Sequence, residues 1–551
     1  MKSNTWFLSA VLMAFGTGIV YGGGTVLQPV DYMDLPCPLE SLRPVSAAQV
    51  SVSLGEYEPL AVLVSAEGGV KSSGFEVTGL PSGVSLRTYR ITEHRLRQQI
   101  DRETTLPYFM EEAAGVELPA GAQAVYYLVF KTDPGARPGR YDLVLKLDGA
   151  TLAVPLEVYP FRLRANEKFF YGAFCGARDV AITPQHLSDL HERGFDALQF
   201  FWGSVAVGLA NKDDRLVVDF TVVDRWMDDF KAAGMKGPVV WSLGNDSKSH
   251  MESRLAQLFN LPMMPEVEVD GKRKIFADIS NPKLNLLLKE LMLAIREHAR
   301  EKRWPELVFL IYDEPTERLM AEHENRYRFI KSFWPELRIY GVTMNRLDWA
   351  QSIAHMVDIF VSNGDFARIR ELADKTAKPF WLYGAATSRS AASIRHSLAW
   401  TPWKFRAEAG WFWAYNYSGG NPYNDFDSSL AESTASMVWP PRQPGGPLVF
   451  SVSWEGMREA TDDMRYLQTL EWMLPRSTTD QSGRIRAELA TMRESVPTGR
   501  FERVQGGDAH DRVQVLSTAR YVETFRRKIA GWILELLAAD RTRFTEILSA
   551  P

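Results

Sequence analysis

The sequence predicts a multidomain chain: an N-terminal β-sandwich, a central (β/α)8 barrel of the TIM type and a C-terminal helical segment. Three patterns carry this expectation. Short β-type runs divided by Gly/Pro turns fill residues 25–165, strand and helix alternate through residues 166–470, and charged helical segments occupy residues 471–551. At 551 residues the chain exceeds what a single hydrophobic core serves, so two or three domains are expected.

The chain opens with Lys2, an apolar stretch from Trp6 to Val20 and small residues at Gly22 to Gly24. That order is the n-, h- and c-region order of a secretory signal over residues 1–24, with cleavage expected near residues 18–24. The stretch is too short and too Gly-interrupted for a membrane span, so a membrane would be met only through an uncleaved signal. The expectation is an exported protein, periplasmic, cell-surface or extracellular. A net charge of −5 supplies no basic field for nucleic acid. Cys37 and Cys175 are the only cysteines and lie in different predicted domains, so two buried thiols are expected rather than a bridge. There is no CxxC and no HExxH, and His298 and His323 lack a partner at ligand spacing; no metal and no cofactor are expected.

In the first region the β-type runs are Gln49–Leu54, Ala61–Val64, Val84–Tyr89, Ala124–Phe130, Tyr141–Leu147 and Leu152–Val158. Turn signals such as Pro81-Ser82-Gly83 and Pro134-Gly135 separate them, a spacing that reads as a sandwich. No catalytic constellation is visible there.

The barrel strands are predicted at Phe169–Phe174, Ala197–Phe201, Pro238–Leu243, Leu307–Tyr312, Arg338–Val342, Ile359–Val361, Phe380–Tyr383 and Gly410–Tyr415. Helices at Pro184–Arg193, Val222–Ala233, Lys283–Lys302, Asn325–Phe333, Trp349–His355, Phe366–Thr376 and Ser393–Arg406 intervene. Eight such units over roughly 250 residues match a TIM barrel, and near-continuous apolar strands fit burial on both faces. A doubly wound open sheet is the competing fold, but no GxGxxG follows any strand. Beyond residue 470, Arg484–Arg493 and Ala519–Leu537 are the clearest helices.

Asp313-Glu314-Pro315 directly follows the apolar run LVFLIY. Carboxylates at the end of a buried strand require a reason, because burying an unpaired charge is costly. In a TIM barrel the C-terminal strand ends form the active-site face, which places this pair in the mouth. Two carboxylates in unlike surroundings can divide into an acid and a base. Around them the strand ends carry rings and amides: Trp202, Trp241, Asn345, Asn363, Tyr383, Trp413, Tyr415 and Tyr417, with Arg178 and Asp179 after the first strand. Flat rings and amides suit a neutral sugar better than a phosphate.

The sandwich ending in PLEVYPF, the fourth strand with Tyr312-Asp313-Glu314-Pro315 and the late GWFWAYNY segment together resemble glycoside hydrolase family 123 and its relatives. Ser451 to Glu459 and Asp462 to Leu467 resemble that family's Arg-Glu and Asp-Tyr-Leu tail motif, with Met464 standing where the family has Tyr and Tyr466 following shortly after. The resemblance covers about residues 40–475 and implies a retaining hydrolase of β-linked N-acetylhexosamine, with GalNAc favoured, whether terminal or internal. It also implies substrate-assisted catalysis through an oxazolinium. Asp313 would orient the 2-acetamido group, Glu314 would act as acid and then base, and Tyr383 or Tyr415 would support the acetamido oxygen. The partner would be a glycan on a glycolipid, glycoprotein or polysaccharide. Two alternatives stay open on the residues alone. One is a glycosidase with a separate carboxylate, Asp179 or Asp365, at about 5–5.5 Å (retaining) or 6.5–9.5 Å (inverting) from Glu314. The other is a non-catalytic carbohydrate-binding protein.

Overall fold

The computed structural model describes residues 19–20, 24–99, 102–164, 168–175, 182–200, 207–243, 251–263, 267–269, 272–274, 277–311, 313, 320–343, 346–385, 390–417, 421–424, 426, 436–498 and 520–548. One mixed and one antiparallel sheet build most of the N-terminal region. One pairs Ala150–Arg162 with Gly139–Leu147, with Val50–Leu54 in parallel and with Ile19–Val20, and Gly139–Leu147 pairs in turn with Glu76–Thr78. The other runs Thr25–Val30, Tyr57–Ala66, Ala122–Thr132, Val84–Gln99, Arg102–Glu112, Val449–Ser451, Val438–Trp439. Its last two strands come from beyond the barrel, so the sheet is completed by residues far downstream.

Between the sheets lies a core of Leu27, Val62, Val64, Tyr126, Leu128, Phe130, Leu145, Val154 and Leu156. The outer face of the seven-stranded sheet is buried too, through Tyr89, Ile91, Met110, Tyr127 and Val129, against the barrel-side elements. Burial on both faces explains why Ala122–Thr132 reads as an unbroken apolar run instead of an alternation.

The barrel is closed, with eight parallel strands in sequence order: Phe170–Cys175, Phe195–Phe200, Val239–Ser242, Leu307–Leu310, Arg338–Val342, Ile359–Ser362, Phe380–Ala385 and Ala409–Asn416. All eight predicted strands are present, within a few residues of the predicted bounds. Phe174, Val240, Val308, Leu310, Val342, Val361, Trp381 and Trp411 fill the interior. Gly172 makes room for Trp411: a Cβ there would meet the indole at 2.4 Å. Helices wrap the outside and are capped as their sequences dictate. Thr183 accepts from the backbone N–H of His186, and Asn281 accepts from Lys283 and Leu284. Among the described residues no helix is long and apolar enough to cross a membrane. Cys37 and Cys175 are buried in separate clusters with no disulfide between them.

The helix Val452–Met473, which carries the tail motif, is enclosed on nearly every side. It therefore has to pair its own charges inside the protein. Arg458 donates to Glu455 at 2.9 Å and to the carbonyl of Tyr57 at 2.6 Å, and Arg193 reaches Glu455 at 2.5 Å. Asp463 accepts from Arg395, Arg526 and Trp400, while Arg526 also reaches Glu459 at 2.5 Å and Glu58 at 3.1 Å. Met464 is buried in the core, and Tyr466 donates to Glu56 at 2.8 Å.

Burial, then the charge of Asp462, pushes the Glu56 carboxyl up to about 7, while Arg193 and Arg458 hold Glu455 down to about 2 against its burial. The signs are opposite. Glu56 takes up its proton more readily folded than unfolded, so its contribution is present below the ordinary value of 4.5 and is lost as pH rises through 7. The Glu455 contribution is present above 4.5 and is lost as pH falls toward 2. A Glu56→Gln variant, which mimics the protonated form, should match the wild type in unfolding free energy near pH 4.5 and exceed it above pH 7 by about 1–3 kcal/mol at 25 °C. Equal pH profiles for the two proteins would remove Glu56 from this account.

Candidate active site

Parity along each strand decides which side chains reach the barrel lumen. Phe170 and Phe174 point inward on the first strand and Val308 and Leu310 on the fourth; Tyr340 does so on the fifth, Tyr383 on the seventh, and Trp411 and Trp413 on the eighth. Asp313 stands two residues beyond the buried Ile311, just past the fourth strand, and is half-buried. Its carboxylate is close enough to Tyr340 for its charge to act on that phenol. Burial first, and Asp313 second, hold the Tyr340 hydroxyl well above its ordinary range, so it keeps its proton. Tyr340 is 2% exposed and donates to Gln199 Oε1 at 2.5 Å across the barrel.

Tyr383 is half-buried, with its ring 5.2 Å from that of Phe174, and it too acts on Tyr340. Trp413 lies between Phe174, at 6.0 Å, and Tyr417, at 4.9 Å. Asn363 follows the sixth strand at the same end, and its Oδ1 is buried with no hydrogen-bond partner among the described residues. The structure thus gathers Asp313, Tyr383, Trp413 and Tyr417 around the lumen, with Asn363 at the same end. Glu314, Arg178, Asp179, Trp202 and Asn345 lie outside the described residues.

Two expected mouth residues face the other way. Trp241 is 4% exposed and packs outward, 6.1 Å from Phe309 and 6.4 Å from Trp304, because its strand neighbour Val240 takes the inward position. Tyr415 is fully buried in the outer layer, where its hydroxyl donates to Asp189 at 3.0 Å. A register shift between Ala173 and Cys175, opposite the end of the eighth strand, resets the alternation there, so Trp413 and Ala414 both line the inner cluster and Tyr415 points out. Tyr415 therefore faces the outer layer, and Tyr383 is the one of the two that faces the lumen.

Asp365, a candidate for a separate nucleophile or base, is engaged by Arg368 at 2.6 Å and starts the following helix. His298 pairs with Asp224 at 2.9 Å and stacks on Phe220 at 4.0 Å, and burial pushes His323 down to about 4. No group of three or more metal-ligating residues occurs among the described residues. Tyr340 and Gln199 were not foreseen as site residues. The available signal was a polar side chain at an inward position within an otherwise apolar strand, as in ALQF and RIYGV.

The arrangement is a carboxylate at a barrel mouth, set against buried phenols and rings with apolar packing beneath. The model of the glycoside hydrolase 123 catalytic domain matches residues 195–470, from the second barrel strand to the end of the enclosed helix. A solved family 123 glycoside hydrolase from Clostridium perfringens, described for glycolipid glycan hydrolysis, superposes with a TM-score of 0.71 at 10% identity, covering 94% of this chain and 100% of that one. A family 39 glycoside hydrolase from Bacteroides cellulosilyticus WH2 gives a TM-score of 0.37 at 10% identity over 75% of this chain and 81% of its own. Xylanase10C from Cellvibrio japonicus gives 0.37 at 9% over 81% and 96%. No curated protein matches the sequence. With half its length matched by the family model, the chain belongs to glycoside hydrolase family 123.

Proposed function

We propose that this glycoside hydrolase cleaves β-linked N-acetylhexosamine, with GalNAc as the favoured sugar, and retains anomeric configuration through an oxazolinium intermediate. The observation that supports the reading is Asp313, half-buried just past the fourth barrel strand, with Glu314 next to it in the sequence. An ionised Asp313 would orient the 2-acetamido group and polarise its N–H, making the carbonyl oxygen the nucleophile. Glu314 would protonate the leaving oxygen, then take a proton from the water that opens the oxazolinium. Substrate assistance needs no second carboxylate nucleophile, which accords with the engagement of Asp365 by Arg368. Tyr383 is the phenol that would meet the acetamido oxygen, and Trp413 a ring for stacking on the sugar. The N-terminal signal-like segment supports action outside the cytoplasm on glycans of lipids, proteins or polysaccharides.

The test compares aryl β-GalNAc, β-GlcNAc and β-galactoside substrates. Turnover should require the acetamido group, and Asp313→Asn should lower kcat by about 10²–10³-fold, since an interaction made to developing charge is lost. Comparable kcat/KM on the β-galactoside, or an Asp313→Asn variant at full rate, would overturn the mechanism.

A further inference from the structure

The N-terminal sheet reaches the mouth end of the barrel. Past the eighth strand the chain leaves through Tyr417, whose ring lies 4.9 Å from the lumen-facing Trp413. It returns at Ser436, whose hydroxyl accepts from the Tyr417 N–H at 2.7 Å. Met437 then donates to the carbonyl of Tyr415 at 3.0 Å, and Val438–Trp439 joins the seven-stranded sheet. The strands Val84–Gln99 and Arg102–Glu112 of that sheet are thereby held beside the end of the eighth barrel strand. Trp439 sits 4.9 Å from Phe109 of that pair, and Phe109 sits 5.5 Å from Tyr423, back in the loop.

This stretch of the loop is fixed from several sides. Asn421 Oδ1 accepts from the Tyr423 N–H and Asn424 Oδ1 from the Phe426 N–H, at 3.1 Å each. The Tyr423 hydroxyl donates to the carbonyl of Pro440, and Arg442 lies over its ring at 3.8 Å while bonding Glu111 at 2.8 Å. Such turns hold a side chain in place before any ligand arrives. The side chain held out is Phe426, which is 42% exposed and stands nine residues beyond Tyr417, within about 30 Å of the rim. Arg95 of the sheet, itself exposed, lies over the Phe426 ring at 4.6 Å.

An open ring flanked by a guanidinium suits a neutral sugar. The C–H face of a pyranose stacks on the ring, and the N–H groups donate to its hydroxyls. One ring offers far too little apolar area for a protein partner. Beneath Asp313 the lumen is filled by Val308, Leu310, Trp381 and Trp411, so a glycan bound there continues outward over the rim. We propose that Phe426 and Arg95 form a distal sugar subsite, shared between a barrel loop and the N-terminal sheet, that binds the glycan beyond the cleaved linkage. Neither residue touches the reacting atoms. The subsite rests on the reading of the enzyme as a β-N-acetylhexosaminidase, and it makes an extended glycan the preferred substrate.

The test uses the full chain and compares a trisaccharide ending in β-GalNAc with an aryl β-GalNAc, which has no sugar to reach Phe426. The trisaccharide-to-aryl ratio of kcat/KM should fall about 3–10-fold in Phe426→Ala and in Arg95→Ala, the loss that one stacking or hydrogen-bonding contact brings. The fall should lie in KM for the trisaccharide, because the contact is the same in ground and transition states. Phe426→Trp should keep the wild-type ratio, since an indole stacks as well as a phenyl ring. A ratio within about 2-fold of the wild type in either alanine variant would overturn the subsite, and so would a Phe426→Trp variant that loses as much as Phe426→Ala. Equal losses on both substrates leave the ratio unmoved and count against it. If the wild type turns over neither substrate, the proposed sugar falls, and calorimetric titration of the same trisaccharide decides the subsite. Weaker binding by Phe426→Ala then keeps it; equal binding, or none by the wild type, removes it.

Discussion

Glu314→Gln is expected to lower kcat on a simple aryl β-GalNAc by about 10²–10⁴-fold, the range that a positioned general acid contributes. The substitution keeps the volume and removes only the proton, so melting temperature should not change. The loss should depend on the leaving group. A poor leaving group needs a full proton from Glu314 and should show the whole effect. A dinitrophenol leaves unaided, so for it the first step should be nearly normal and opening of the oxazolinium should become limiting. Azide, which attacks without a general base, should then restore turnover and give a β-azide product. A loss that is uniform across leaving groups would mean that Glu314 is structural.

The second large effect concerns stability. Asp463→Ala should destabilise the protein by about 3–5 kcal/mol, the cost of leaving buried charges without their partner. Asp463 is 0% exposed and accepts from Arg395 Nε and Nη2 at 2.8 Å each, Arg526 Nε at 2.6 Å and Trp400 Nε1 at 3.0 Å. Its removal takes a carboxylate from two enclosed guanidinium groups at once, leaving Arg395 with Glu523 and Arg526 with Glu459 and Glu58. Chemical denaturation should show the loss as a lower midpoint at unchanged slope. A change under 1 kcal/mol would show that the network relaxes around the gap.

The barrel was legible because each strand is an apolar run bounded by a helix with its own caps, and burial on both faces writes that run into the sequence. Residue-level placement was legible only where parity could be fixed. Trp241 looked like a mouth residue because it is aromatic and near a strand end. Its outward direction follows from Val240, whose inward place is settled only by the neighbouring strands. Tyr415 was lost to a register shift, which flips every later side chain and leaves no mark in the amino-acid pattern. Asp313 was visible because a charge after LVFLIY has few explanations. Gln199 and Tyr340 were invisible for the opposite reason: one polar residue inside an apolar run does not break the run. Arg102–Glu112 was missed as a strand because its ends are charged, although it pairs along nearly its whole length with Val84–Gln99. Val449–Ser451 lies in the sandwich sheet through pairing with residues more than 300 positions earlier, Val438–Trp439 joins through it, and no local pattern encodes that.

The enclosed ionic cluster also imposes a timetable. Glu58 meets Arg526 across 468 positions, Glu56 meets Tyr466 across 410, and Tyr57 meets Arg458 across 401. During synthesis at about 5–20 residues per second, the N-terminal sheet waits on the order of tens of seconds for the cations and hydroxyl that bond its inner carboxylates and carbonyl. Until then those acids must stay hydrated, which keeps that face of the sheet open to water. The N-terminal region is therefore not a module finished early and decorated later. Its last surface closes only when the ribosome has delivered the helix Tyr521–Ala539, so a region made well before the barrel is among the last to be completed.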